Sequence, residues 1–310
     1  MATYDNTHRA FLQVFFSRPT LTFAEAQPIL AAIQTASDPD PERETLPNDV
    51  TQADFNTYIA ALNNAISPFD MEIRSTLPQE SSADPPPTRV WGLVNTTSDA
   101  ISQLATTHTP DEIGFVKRVL DAMFETNNTR RTEVLAVTSM QALALSRPQQ
   151  QSNGESSTQS AQQGLTKTEA ERCLESLVAE GWLCLSRKGY YRLSTKALLE
   201  LRSWLVETYN LPPEEGDEEG TTGVEKVKSC TGCGEIVVVG QRCGDLNCSV
   251  RVHEHCLRNV FRAAGRESCP TCKRDWTSDT FVGERAAQGR RSTGGLRNSI
   301  VTNGVDSDEG

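Results

Sequence analysis

The sequence predicts an α+β chain: tandem winged-helix domains followed by a C-terminal two-zinc module. Three observations predict it. Seven cysteines and one histidine stand at zinc-ligand spacing near the C-terminus, the order helix, helix, helix, hairpin occurs twice, and polar or acidic stretches without apolar periodicity separate the parts. The limits that follow are 1–105 and 106–210 for the two winged helices, the second with a low-complexity insert at 147–165. An acidic linker occupies 211–226, the zinc module 227–278 and a disordered tail 279–310.

The first domain begins with a compact apolar helix from His8 to Phe16. Thr22 and Glu25 form the capping pair of a second helix, with Pro28 early in it predicting a bend. Thr51 opens a third, whose Phe55, Tyr58, Ile59, Leu62 and Ile66 recur at helical spacing. MEIRSTL and TRVWGLVN then read as two strands around a Ser- and Pro-rich wing.

The second domain is more legible. Thr109, Pro110 and Glu112 start a helix with Ile113, Val116, Leu120, Met123 and Phe124 on one face, and a further helix is predicted from Glu133 to Leu145. After the insert, Thr166 and Glu169 cap a helix that presents Ala170, Cys173, Leu174, Leu177 and Val178. WLCLSRKGYYRLS supplies a hairpin around Lys188-Gly189, and an amphipathic helix runs on to about Tyr209. Neither third helix suits the DNA major groove: the first carries Asp54 and no base, the second sets Lys167 and Arg172 against Glu169, Glu171, Glu175 and Glu180. Protein docking is the better reading, with Arg187, Lys188 and Arg192 on the second wing as the candidates for any phosphate contact.

The zinc-ligand pattern is C-x2-C-x9-C-x4-C-x4-H-x2-C-x12-C-x2-C, from Cys230, Cys233, Cys243, Cys248, His253, Cys256, Cys269 and Cys272. It takes seven of the nine cysteines in the chain, so metal explains it better than disulfides or scattered thiols. The spacing resembles RING and PHD modules, in which ligand pairs bind crosswise. That resemblance implies a two-zinc cross-brace RING variant (C4HC3) with Cys230, Cys233, His253 and Cys256 on one zinc and Cys243, Cys248, Cys269 and Cys272 on the other. His255 competes for the imidazole place, but H-x2-C from His253 is the usual pairing. Two fully ligated structural Zn2+ leave no open position for an activated water.

Composition limits the rest. A net charge of −11 disfavours wholesale binding to nucleic acid or an anionic membrane. No run approaches about 18 apolar residues and the start lacks a signal peptide, so a soluble intracellular protein is expected, with Cys173 and Cys184 as free thiols. His8 and His108 read as packing or surface residues, and nothing suggests a catalytic triad.

The ordered combination resembles the non-structural maintenance of chromosomes element 1 family, the RING-bearing subunit of the SMC five-six complex. HRAFLQVFFSRPTLT, VWGLVNTTSDAISQLAT, EAERCLESLVAEGWL and GQRC carry the likeness beyond the metal ligands, over about 3–276. It implies a nuclear protein of DNA repair and chromosome maintenance, packed against a MAGE-type subunit and a kleisin subunit. It also implies a RING that promotes ubiquitin transfer with the MAGE partner, DNA being reached mainly through the complex.

A RING ligase has no nucleophile of its own; it orients a charged conjugating enzyme. Pro270 matches the proline of the second zinc loop, and Lys273 stands where many ligases place a basic residue that fastens ubiquitin. Ile236, Leu257, Phe261 and Pro270 are the conjugating-enzyme contact candidates, Val260 stands with Leu257 and Phe261 as a residue of either the same groove or the core, and Gly232 in CTGC lacks the bulky aliphatic side chain of many active RINGs. The alternatives are a mainly architectural, zinc-stapled subunit and a PHD-type histone reader. The reader is disfavoured by Glu267 at the usual tryptophan position and by only two aromatics, Phe261 and Trp276.

Overall fold

In the computed structural model, residues 4–40, 42–80, 87–96, 107–148, 164–210 and 225–288 are described. The first winged helix is built on three capped helices, α1 (Asn6–Ser17), α2 (Phe23–Ser37) and α3 (Gln52–Ile66). Asp5, Thr22 and Thr51 each accept a backbone N–H of the first turn, satisfying donors that have no partner inside the helix. Helix α2 runs through Pro28. A two-residue strand, β1 (Leu21–Thr22), completes an antiparallel sheet with β2 (Met71–Thr76) and β3 (Val90–Asn95) in the order β1-β3-β2. Phe11, Leu30, Phe55 and Leu62 are buried beneath it, and the Phe55 ring meets Trp91 edge-on with centroids 4.8 Å apart.

The second domain repeats the plan with α4 (Pro110–Asp121), β4 (Val137–Thr138), α5 (Ser139–Ala144), α6 (Lys167–Ala179), β5 (Leu183–Leu185) and β6 (Tyr190–Leu193). Its sheet order is β4-β6-β5. The helix expected from Glu133 to Leu145 is shorter, because Thr138 caps α5 through Gln141 N and Val137 pairs with Tyr191. The helix expected to end near Tyr209 is two, α7 (Thr195–Glu200) and α8 (Arg202–Tyr209). Most of the 147–165 insert lies outside the described residues, but Leu165 belongs to the core, its N–H donating to Ser146 O at 2.8 Å. The two winged helices meet where Gly92 lets β3 approach α7: a Cβ there would stand 3.5 Å from Leu199 Cδ1 and 3.3 Å from Pro19 O.

The C-terminal module carries β7 (Gly240–Arg242), β8 (Arg251–Val252), α9 (Leu257–Ala264), β9 (Phe281–Val282) and α10 (Glu284–Gln288), with sheet order β8-β7-β9. The tail assigned to 279–310 is therefore corrected. Residues 279–288 finish the module, since β9 pairs with β7 and Val282 is buried; the remainder lies outside the described residues.

An acidic linker such as 211–226 would by itself leave the module free to move relative to the winged helices. Instead one apolar core runs through both: Phe124, Leu174 and Leu205 belong to the same cluster as Val227, Val237, Val252 and Val282. The junction is also ionic. Glu133, in the loop before β4, is 3 % exposed and takes Arg251 through both guanidinium Nε and Nη2, Lys228 Nζ at 2.7 Å and Arg242 Nη1 at 3.3 Å. Burial alone would raise its carboxyl, but the hydrogen bonds and charge of Arg251, then Lys228 and Arg242, hold it below the ordinary glutamate range. Residues 211–224 of the linker lie outside the described residues.

Candidate metal centre and the adjoining groove

Two groups of ligand atoms gather in the C-terminal module, Cys230, Cys233, His253 and Cys256 in one and Cys243, Cys248, Cys269 and Cys272 in the other, each within 4.8 Å. These are the crossed pairs that the resemblance to RING and PHD modules implies. The pairing of β7 with β8 brings the segment after Cys243 back toward the first ligand loop, and the Cys230 bridge to Arg251 fixes that return.

Distances within the groups suit zinc. Four sulfurs about 2.3 Å from a tetrahedral ion stand roughly 3.8 Å apart. Cys243 Sγ lies 3.5 Å from Cys272 Sγ, and Cys248 Sγ 3.6 Å from Cys269 Sγ. In the other group His253 Nδ1 is 3.3 Å from Cys233 Sγ, while its Nε2 faces the Ile236 carbonyl at 3.2 Å, the outer partner that a metal-ligating imidazole needs. His255 stands outside the group, stacked on His253 with centroids 5.1 Å apart.

The electrostatics point the same way. Burial pushes the Cys243 thiol up to about 12, so a buried thiolate there needs a cation. Hydrogen bonds from Cys233 and Cys256 pull the Cys230 thiol far down. Burial works against a charged His253, yet the Cys230 and Cys233 sulfurs outweigh it and lift the ring to about 9, which marks its site as one that attracts positive charge. The donor sets fit two structural zinc ions, each with four protein ligands.

A third group, His108, Glu112 and Cys173, has a different character. The Glu112 carboxylate accepts Thr109 N at 2.7 Å as a helix cap, and burial pushes the Cys173 thiol up to about 12, so it reads as packing. His108 Nε2 meets Glu180 at 3.1 Å, and His8 stacks on Tyr58, in keeping with two packed histidines.

Beside the first zinc loop lies a groove of about 370 Å³ lined by Thr231, Gly232, Asn259, Val260, Pro270 and Lys273, with Ala263 and Ala264 on the α9 side. Of the residues singled out in the sequence, Gly232, Pro270 and Lys273 line it. Ile236 does not: it is 2 % exposed in the core, so its assignment as a contact is corrected. Leu257 packs partly against the core, and Phe261 turns to Trp276 with ring centroids 5.7 Å apart; neither lines the groove. Of the α9 residues that do line it, Val260 is one the sequence pointed to, whereas Asn259, Ala263 and Ala264 were missed, since small or polar side chains give no sequence signal for a contact surface. Arg192, read as a wing-tip cation, is also elsewhere: it is 9 % exposed and pairs with Glu80 of the first domain.

Comparison with known proteins now decides the family. The model described as Nse1 non-SMC component of SMC5-6 complex matches residues 8–201, and one described as RING-like domain matches 230–272. This chain belongs to the Nse1 family. Among curated relatives, the non-structural maintenance of chromosomes element 1 homolog of Homo sapiens is 22 % identical over 278 residues, covering 89 % of this chain and 86 % of the relative. That of Xenopus laevis is 23 % identical over 222 residues, covering 72 % and 68 %. A solved structure titled Nse1-Nse3-Nse4 complex contains a chain similar in fold, with TM-score 0.63 and 20 % identity, covering 89 % of this chain and 99 % of that one. Among the described residues no helix is long and apolar enough to cross a membrane.

Proposed function

We propose that this Nse1-family chain is the RING-type E3 ubiquitin-protein ligase subunit of an SMC5-6 complex, nuclear and engaged in DNA repair and chromosome maintenance. Its two winged helices pack against a MAGE-type subunit and a kleisin, the Nse3 and Nse4 named with the similar solved chain. Cys230, Cys233, His253 and Cys256 hold one zinc and Cys243, Cys248, Cys269 and Cys272 the other. The observation that carries the ligase reading is the groove between Gly232, Val260 and Pro270, with Lys273 on its rim: an apolar trough flanked by both zinc loops, of the kind a conjugating enzyme's loops would enter.

Gly232 sets the strength of that docking. A Cβ there would stand 3.1 Å from both Cys256 Cβ and Val260 Cγ2, so a bulky aliphatic residue crowds a zinc ligand and the groove wall before it adds contact. The isolated module should therefore be a weak ligase that gains from a partner supplying effective concentration. Lys273 Nζ donates to Pro270 O at 2.6 Å, so fastening ubiquitin requires exchanging that bond.

The test is discharge of ubiquitin from a charged conjugating enzyme by the full chain, alone and with a MAGE-type subunit. Partner-stimulated discharge that falls about tenfold in Lys273→Ala, at unchanged zinc content, supports the reading. No discharge in either condition, with two zincs per chain, supports the architectural alternative, which Gly232 and the core shared with the second winged helix favour.

A further inference from the structure

We propose that Gln79, on the wing of the first winged helix, is a positioning residue of the first zinc centre. Its side chain is 8 % exposed and reaches into the C-terminal module. Nε2 donates to the Ile236 carbonyl at 2.6 Å, and Oε1 accepts Val238 N at 2.9 Å and Val239 N at 3.0 Å. This pattern fixes the amide orientation, because two backbone N–H groups on one side require the oxygen there. One side chain thus takes the place of a neighbouring strand along 236–239.

The Ile236 carbonyl is shared. It faces His253 Nε2 at 3.2 Å, while His253 Nδ1 points at the Cys233 sulfur. A carbonyl that accepts the far N–H of a ligating imidazole sets which ring nitrogen is free for metal and how the ring is turned. Gln79 holds that carbonyl in place from a residue 157 positions earlier in the chain. The adjacent Glu80 turns instead to Arg192 of the second winged helix, so Gln79 is the residue here that reaches the Ile236 carbonyl. The first zinc centre therefore extends into the first winged helix, and a partner that draws this wing away loosens His253. The second centre, all cysteine, has no such link to the wing among the described residues.

The inference rests on the crossed zinc assignment, and one experiment separates the two. Zinc release from the full chain is followed with a chromophoric chelator, and the His253 ring nitrogens by heteronuclear NMR. Wild-type protein should release two zincs, with the His253 signals moving as one of them leaves; fewer zincs, or a silent His253, overturns the assignment and the inference with it. Gln79→Ala should release the His253-linked zinc about 3- to 10-fold faster, leave the other rate unchanged and shift the ring nitrogens. Gln79→Glu keeps the acceptor for Val238 and Val239 but loses the N–H to Ile236, so it should accelerate the same phase, and it decides the matter if Gln79→Ala does not fold. Glu80→Ala, which breaks only the Arg192 pair, should keep both rates. Wild-type release in the folded Gln79 variants, or equal acceleration of both zincs, overturns the proposal.

Discussion

The two winged helices share a plan and differ in what they do with the metal module. The first closes its own core around Phe11, Phe55 and Leu62, and touches the module through polar groups of its wing. The second leaves its core open on one side, and the module fills it with Val227, Val237, Val252 and Val282 while Glu133 gathers three cations from beyond the linker. Sequence periodicity cannot tell these cases apart, because both domains show capped amphipathic helices and a hairpin. What differs is whether the last apolar face is covered by the domain's own residues or by a later part of the chain.

The largest effect should come from removing zinc. Structural zinc supplies roughly 10–16 kcal/mol of apparent binding energy, so a chelator should unfold the module outright. Because the core is shared, hydrogen exchange should show protection lost in α4 to α8 as well, while α1 to α3 stay protected. Uniform loss, or loss confined to 225–288, would erase the distinction between the two domains.

Next comes the ionic junction. Glu133→Gln leaves Arg251 and its neighbours buried without their anion and should cost about 3–5 kcal/mol in denaturant unfolding of the second domain and module. The folded carboxyl titrates below its ordinary value of 4.5, so its stabilisation is complete above that pH and is lost as pH falls through the folded value. The wild-type junction should therefore weaken only in acid below the ordinary glutamate range, and Glu133→Gln should lose that acid-dependent part.

A chain ending at Ser278 lacks β9 and the buried Val282, and should lose about 2–3 kcal/mol from that side chain's burial, again in the shared unit. The smallest effects sharpen the contrast best. Thr22→Ala and Thr166→Ala each remove one helix cap, worth about 1 kcal/mol. Local exchange should rise around α2 alone in the first, and around α6 and the zinc module together in the second.

Much of the molecule was legible for a local reason. Zinc spacing, and the Thr-x-x-Glu and Thr-x-x-Asp caps, are written within a few residues, so α2, α3, α4, α6 and the paired ligand groups follow directly. Strands β1 and β4 were missed because two residues carry no period. Glu133 and Gln79 gave no signal, since one polar residue in a loop looks solvated until its partner, more than ninety residues away, is placed beside it. Strand β9, also two residues long, was hidden at the edge of the Gly-, Ser- and Arg-rich stretch that follows it. The groove was half-legible: Pro270 and Lys273 follow from the ligand loop, but which face of α9 turns toward them depends on the cross-braced fold.

Glu133 also bears on how the protein is made. The carboxylate leaves the ribosome with the second domain, whereas Lys228 and Arg251 follow 95 and 118 residues later. Until then the nascent domain shows water an unfilled apolar face and an unpaired acid, and loop closure of that length is slow. The part translated after it, which completes that face, is the one that needs metal. A cell short of zinc would thus accumulate chains whose middle is unfinished, and chaperones or proteases could recognise that defect before any partner subunit binds.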